Sequence, residues 1–193
     1  MAQKISAQKK VTLNKLSNFS IVLGSSFCAL ALVLVVQRYS PLRLSFNINF
    51  IPQSVSTSQK IEIRPVRIVI SSQKINLPII DARISKKKWP TSESGVSYIK
   101  DSSIPGEKGN SILYGHNWTT LLGNLIYVKP GEKIEVYFSD QSKKTFVVEN
   151  TATVSPKNIT VLLSSKEPLL TIYTCTGFLD SKRFVVTARP LNS

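Results

Sequence analysis

The sequence predicts an all-β domain of short strands, preceded by one apolar segment of helix length. Three observations carry that expectation. Downstream of Ile61 the chain alternates short runs rich in Val, Ile, Thr, Tyr and Phe with turn residues such as Pro, Gly, Asn, Asp and Ser. Upstream, Phe19 to Val36 runs without a charge. The composition, 42% hydrophobic over 193 residues, suits one medium domain with a core and a tail rather than a disordered chain.

Residues 1–18 are polar and basic, with Lys4, Lys9, Lys10 and Lys15 and no acid. The apolar run that follows, 19–36, is about 18 residues, or roughly 27 Å of helix, which suffices to cross a bilayer. The lysines before it predict a cytoplasmic N-terminus and an extracytoplasmic remainder. A cleaved signal peptide is the competing reading. It is disfavoured because its apolar core is usually shorter and no small-x-small site follows Val36. Residues 37–60 read as a linker, polar from Ser54 to Lys60, with some strand character between Leu42 and Ile51. The folded domain is expected over 61–193.

Within that domain Val66 to Ile70 reads as a strand. Ile75 to Leu77 begins a second, with Pro78 at its end or on an edge. Trp89 to Ser97 reads as loop or short helix. Asn110 to Tyr114 is a strand that delivers Gly115 and His116 at its end. Leu121, Leu122, Leu125 and Ile126 have helical spacing within Trp118 to Val128. Lys133 to Phe138 and Lys144 to Val154 form a hairpin about Ser139 to Ser142. Ser155 to Glu167 is a longer loop with a helical turn. Two last strands, Thr171 to Thr174 and Arg183 to Ala188, are joined by Gly177 and the turn residues Asp180 and Ser181, and Pro190 stops the second. Seven or so short strands suggest a barrel or a sandwich.

The chemistry concentrates at that last connection. Cys175 ends one strand and Arg183 starts the next, so a hairpin sets a thiol beside a guanidinium. A fixed positive charge favours the thiolate, the nucleophilic form. Cys28 lies in the apolar run, which leaves Cys175 with no intrachain disulfide partner downstream. A free cysteine is often just a small buried hydrophobe, a lone histidine a surface residue and an arginine at a strand start an exposed charge. Their joint occurrence is what points to catalysis. His116 is the only histidine in the chain, and distant Cys and His can meet in space as a catalytic couple.

These residues carry a resemblance. Thr171, Ile172, Tyr173, Thr174 and Cys175 resemble the Thr-Leu-x-Thr-Cys signature of the sortases, the membrane-anchored cysteine transpeptidases of bacterial surfaces, with Ile172 in place of Leu. Arg183 resembles their second-strand arginine, and Gly115, His116 and Asn117 resemble their histidine motif. The loop from Pro105 to Asn110 is similar to theirs as well. The resemblance spans roughly Ile61 to Pro190. It implies a closed β-barrel of about eight strands with short helices. It also implies cleavage of a sorting signal of the Leu-Pro-x-Thr-Gly type through a Cys175 thioester, then transfer of the acyl group to an amine. The implied partners are surface proteins bearing a C-terminal sorting signal, and the amine of a wall precursor or pilin. In this scheme His116 moves the proton and Arg183 holds the oxyanion.

Two other functional classes fit parts of the same pattern. An L,D-transpeptidase also uses cysteine and histidine on a β scaffold, but places a His-Gly pair shortly before its cysteine, where this chain has Tyr173 and Thr174. A non-catalytic, membrane-tethered domain binding wall polymers is the third reading, and the net charge of +14 suits anionic lipid or polymer. Nucleic acid is disfavoured, because no helix combines a basic face with interleaved aromatics. Cofactors are not indicated. Some sortases use calcium, but Glu132, Glu135, Asp140 and Glu149 lack a calcium-loop spacing, and one histidine with one accessible cysteine cannot form a zinc shell. The glycosylation patterns at Asn117 and Asn158 are short, common matches without weight.

Overall fold

The computed structural model describes residues 20–36, 63–85 and 89–191. The chain divides into two compact units, Met1–Ser40 and Pro41–Ser193. In the first, residues 20–36 are helical, and their side chains are exposed. Among the described residues no helix is long and apolar enough to cross a membrane. Phe19, the basic tail, the linker with its expected strand character between Leu42 and Ile51, and residues 86–88 lie outside the described residues.

The second unit holds eight strands: β1 Pro65–Ile70, β2 Ile75–Ala82, β3 Val96–Ile99, β4 Asn110–Gly115, β5 Lys133–Phe138, β6 Lys143–Val154, β7 Leu169–Thr176 and β8 Lys182–Pro190. They close into a barrel in the order β1-β2-β3-β4-β7-β8-β6-β5, with β5 returning to β1. Closure gives every strand a neighbour on each side, so none is left as a free edge strand. Most neighbours are antiparallel. The β2–β3 and β4–β7 pairs are parallel, and the second of these organises the site.

Alternation along the strands sorts the side chains into two clusters. Leu113, Leu170, Ile172, Val186 and Ala188 point into the barrel and join Ile68, Val136 and Phe146 in its core. Ile112, Tyr114, Tyr173, Cys175 and Val185 point outward, where Trp89 and Leu162 from two connecting segments cover them. Asn110 anchors the second of these covers. Its side chain accepts from Thr171 Oγ1 at 2.8 Å and donates to the carbonyls of Val161 and Leu163, each at 3.1 Å. The 3-10 turn there, Ile159–Leu162, is capped by the Asn158 side chain, which accepts from the Thr160 backbone N–H.

Three expectations need correction. Pro78 neither ends β2 nor marks an edge. The strand continues to Ala82 because it changes partner there: it pairs antiparallel with β1 as far as Pro78 and parallel with β3 from Ile79 onward. A residue without an N–H is tolerated at such a switch. β3 itself, Val96–Ile99, lay within and beyond a stretch read as loop or helix. Its four residues are all buried, so it has no alternation to recognise. Gly95 precedes it because a Cβ there would fall 2.5 Å from the Pro78 carbonyl oxygen. Finally, the apolar spacing around Leu121 to Ile126 yields only a 3-10 turn, Gly123–Tyr127. Leu121, Leu122 and Leu125 are buried there without a full helix, since the Leu121 and Gly123 N–H groups both turn back onto the Trp118 carbonyl.

Candidate active site

Parallel pairing of β4 and β7 sets Tyr114 against Tyr173 and Gly115 against Thr174. One register step further lie His116 and Cys175, so two residues distant in sequence leave adjacent strand ends together. On the other side of β7, antiparallel pairing sets Cys175 directly opposite Arg183. Cys175 therefore occupies the middle of three adjacent strands, between the histidine-bearing end of β4 and the arginine at the start of β8. Alternation fixes the face as well. Cys175 shares the outward face with Tyr173, His116 with Tyr114, and Arg183 with Val185. All three expected site residues are brought together on one face of the sheet, at one end of the barrel.

They are nearly sequestered from solvent: 7% of His116, 3% of Cys175 and 3% of Arg183 is exposed. That argues against the surface readings of the histidine and the arginine, and leaves burial of the thiol compatible with either role. The His116 ring stacks on Trp118, with centroids 4.5 Å apart and planes 9° from parallel. The Arg183 guanidinium donates from Nη1 to the carbonyls of Asp180 and Lys182, both at 3.0 Å. The connection that supplies those carbonyls is compact. Gly177 has φ of 79°, and Leu179 and Asp180 are also left-handed, at 50° and 57°. Beneath Cys175, Thr174 Oγ1 donates to the Gly115 carbonyl at 2.8 Å, which ties β7 to β4 one residue before the thiol and the imidazole.

The floor of the site is aromatic. Tyr114 and Tyr173 stack with centroids 5.5 Å apart, and Trp89 packs edge-on against both. The Tyr114 hydroxyl donates to the Pro90 carbonyl, holding the covering segment down. Burial pushes the Tyr114 phenol well above its usual range, with a smaller opposing effect of a hydrogen bond to Ser97. Burial likewise raises Tyr173, further raised by Tyr114 and partly offset by the positive Arg183 nearby. Both tyrosines are thus neutral at physiological pH and form a fixed apolar floor.

The carboxylates weighed for calcium are engaged one by one. Glu132 accepts from Ser72 and Gln73. Glu135 accepts from Lys143 at 2.7 Å and from Tyr137 at 2.9 Å. Asp140 binds Ser142 and Glu149 binds Arg189. Among the described residues no group of three or more His, Cys, Asp or Glu is placed to hold a metal ion.

Four neighbours of the site carry no functional cue in the sequence. Trp118, the partner of the imidazole, reads in the sequence only as the start of an apolar stretch. Tyr114 and Tyr173 carried no signal beyond β propensity. Asp180 read as turn chemistry, yet its carboxylate accepts from Asn117 at 3.1 Å, across the site from one loop to another.

A thiol, an imidazole and a guanidinium on one face of a closed barrel are groups of the kinds that acyl transfer uses. The family model of the Sortase domain matches residues 68–191, and the chain belongs to the sortase family, a family of transpeptidases. Solved structures agree on the fold. Sortase C1 of Streptococcus agalactiae is 25% identical, with a TM-score of 0.58 over 66% of this chain and 67% of that one. Sortase A of Corynebacterium diphtheriae is 22% identical, with a TM-score of 0.58 over 83% of each chain. Sortase A of Listeria monocytogenes is 24% identical, with a TM-score of 0.54 over 67% of this chain and 88% of that one. A comparison with curated protein sequences finds no match.

Proposed function

We propose that this protein cleaves a sorting signal of the Leu-Pro-x-Thr-Gly type on surface proteins and transfers the acyl fragment to an amine of a wall precursor or pilin. The observation that carries the reading is the register, which puts Cys175 opposite Arg183 and one strand from His116 on the same face. In the first step Cys175 Sγ attacks the scissile carbonyl. The resulting oxyanion lies against the Arg183 guanidinium, whose charge is independent of pH. The C–N bond then breaks as His116 protonates the leaving amine, and a thioester remains on Cys175. In the second step an incoming amine attacks the thioester, gives its proton to His116 and expels the thiolate.

The chain is proposed to act outside the cell, tethered by residues 19–36 with its N-terminus in the cytoplasm. The apolar run behind four lysines supports that topology. Intact-protein mass spectrometry of the full chain in detergent, with sorting-signal peptides, is the test. Wild type should gain the mass of the acyl fragment and lose it again when an amine is added, and Cys175→Ala should gain none. Cleavage by Cys175→Ala at the wild-type rate would sink the assignment.

A further inference from the structure

Asp180 occupies a peculiar place. It belongs to the connection between β7 and β8, and it bonds both to Arg183 and to the residue that follows His116. Its side chain accepts a hydrogen bond at 3.1 Å from Nδ2 of Asn117, the residue that follows His116. Its backbone carbonyl accepts from Arg183 Nη1 at 3.0 Å. The first bond reaches across 63 residues of sequence to the end of β4, and the second stays within the loop. Cys175 lies between those two strands in the sheet.

The backbone makes this double contact possible. At φ of 57° Asp180 is left-handed, and so is Leu179 at 50°. Left-handed geometry costs a typical side-chain-bearing residue about 1 to 2 kcal/mol, and Asp and Asn tolerate it best after glycine. A loop that makes two such turns in succession needs compensation, and the two hydrogen bonds of Asp180 provide some. Neither bond is required for the barrel to close, since the strands on both sides already pair through Thr174, Gly115 and Arg183.

We propose that Asp180 is a positioning residue for the transfer reaction: it clasps the histidine-bearing segment and the arginine to opposite sides of Cys175. The proposal rests on the catalytic reading of Cys175, His116 and Arg183. Asp180 itself touches no reacting atom. Its carboxylate sets where Asn117 lies, and hence the exit of His116 from β4, while its carbonyl sets where the guanidinium lies. Misplacing either group by a fraction of an ångström lowers the rate of a step that needs both at once. Substrate binding in the ground state is left largely unchanged.

Two substitutions separate the parts of this role. Asp180→Asn keeps an acceptor oxygen for Asn117 and the tolerance for a left-handed backbone. Asp180→Gly keeps the backbone geometry and loses the acceptor. Peptide cleavage by the full chain in detergent, with Cys28→Ser in every variant, is followed for a Leu-Pro-x-Thr-Gly peptide. For Asp180→Gly kcat should fall about 3- to 10-fold, the worth of one net hydrogen bond, with KM nearly unchanged. Asp180→Asn should retain at least half of the wild-type kcat. Asn117→Ala should reproduce the Gly result, and adding it to Asp180→Gly should cost little more. Asp140→Gly, which removes a comparable turn aspartate from the β5–β6 hairpin at the far end of the barrel, should leave kcat alone. A second readout needs no substrate: the rate of Cys175 alkylation by iodoacetamide against pH. Looser placement of Arg183 and His116 should move its inflection to higher pH in Asp180→Gly and not in Asp180→Asn.

Wild-type kcat and a wild-type alkylation profile in Asp180→Gly, with Cys175→Ala inactive, would overturn the clasp and leave the catalytic reading standing. Equal losses in the Asn and Gly variants would also overturn it, because the hydrogen bond would then not be the cause. Full activity in Cys175→Ala would instead remove the catalytic reading, and the clasp with it.

Discussion

The two faces of β4 and β7 are made from the same dozen or so residues, yet they do different work. Inward, Leu113, Leu170 and Ile172 are fully buried among aliphatic neighbours, and the contacts there are interchangeable in kind. Outward, the same strands present Asn110, Tyr114 and His116 beside Thr171, Tyr173 and Cys175, where directional contacts such as the Thr171–Asn110 hydrogen bond and the Tyr114–Tyr173 stack replace interchangeable apolar ones. The inner face closes the barrel through apolar area. The outer face uses the rigidity that results to hold three polar groups at one strand end. Stability and chemistry are thus separated by the period of two in a strand rather than by distance along the chain.

That separation predicts a crossover, and it is the largest effect expected. His116→Ala should lower turnover by about 10² to 10⁴ and Arg183→Ala by about 10² to 10³. Leu113→Ala, on the inner face of β4 three residues before His116, should cost about 2 to 5 kcal/mol of stability. Its folded fraction should still turn over near the wild-type rate. Urea unfolding and steady-state kinetics on all three variants check this. If Leu113→Ala lost turnover while fully folded, the faces would not be independent.

A smaller effect sharpens the comparison on the outer face alone. Burial raises the phenols of Tyr114 and Tyr173 above their unfolded value. The unfolded chain therefore releases these protons near pH 10 while the folded chain keeps them. Their contribution is complete below that pH and is lost as pH rises above it. The urea midpoint should fall more steeply above about pH 10 in wild type than in Tyr114→Phe, with the two curves parallel below. Parallel curves throughout would show that the phenol is not held neutral by burial.

The smallest effect concerns the tie between the strands. Thr174→Val removes the hydroxyl that donates to the Gly115 carbonyl and keeps the shape of the side chain. It should cost about 1 kcal/mol, seen as a lower unfolding midpoint. An unchanged midpoint would mean that the β4–β7 ladder alone keeps the thiol and imidazole in step.

Much of the site was legible in the chain because its cues are local. A thiol at a strand end, a tight turn and an arginine at the next strand start form a hairpin, and hairpin partners are fixed by turn length. Five strands could likewise be read from β-rich runs between turn residues. β3 could not, since four residues buried on both faces carry no alternation. Nor could the continuation of β2 past Pro78, which depends on a change of partner that no local pattern records.

What the sequence by itself determined is the all-β character and the pairing of Cys175 with Arg183. Each follows from backbone preferences acting over fewer than a dozen residues. Only the tertiary structure decided that β4 runs parallel to β7, so that His116 arrives at Cys175 from 59 residues away in the register that the Thr174–Gly115 bond marks. Parallel neighbours need a long crossover, and nothing in a crossover's length states its register. The link from Asp180 to Asn117 is of the same kind. An aspartate in a turn satisfies local chemistry wherever it stands, and the closed barrel alone brings a second loop within its reach.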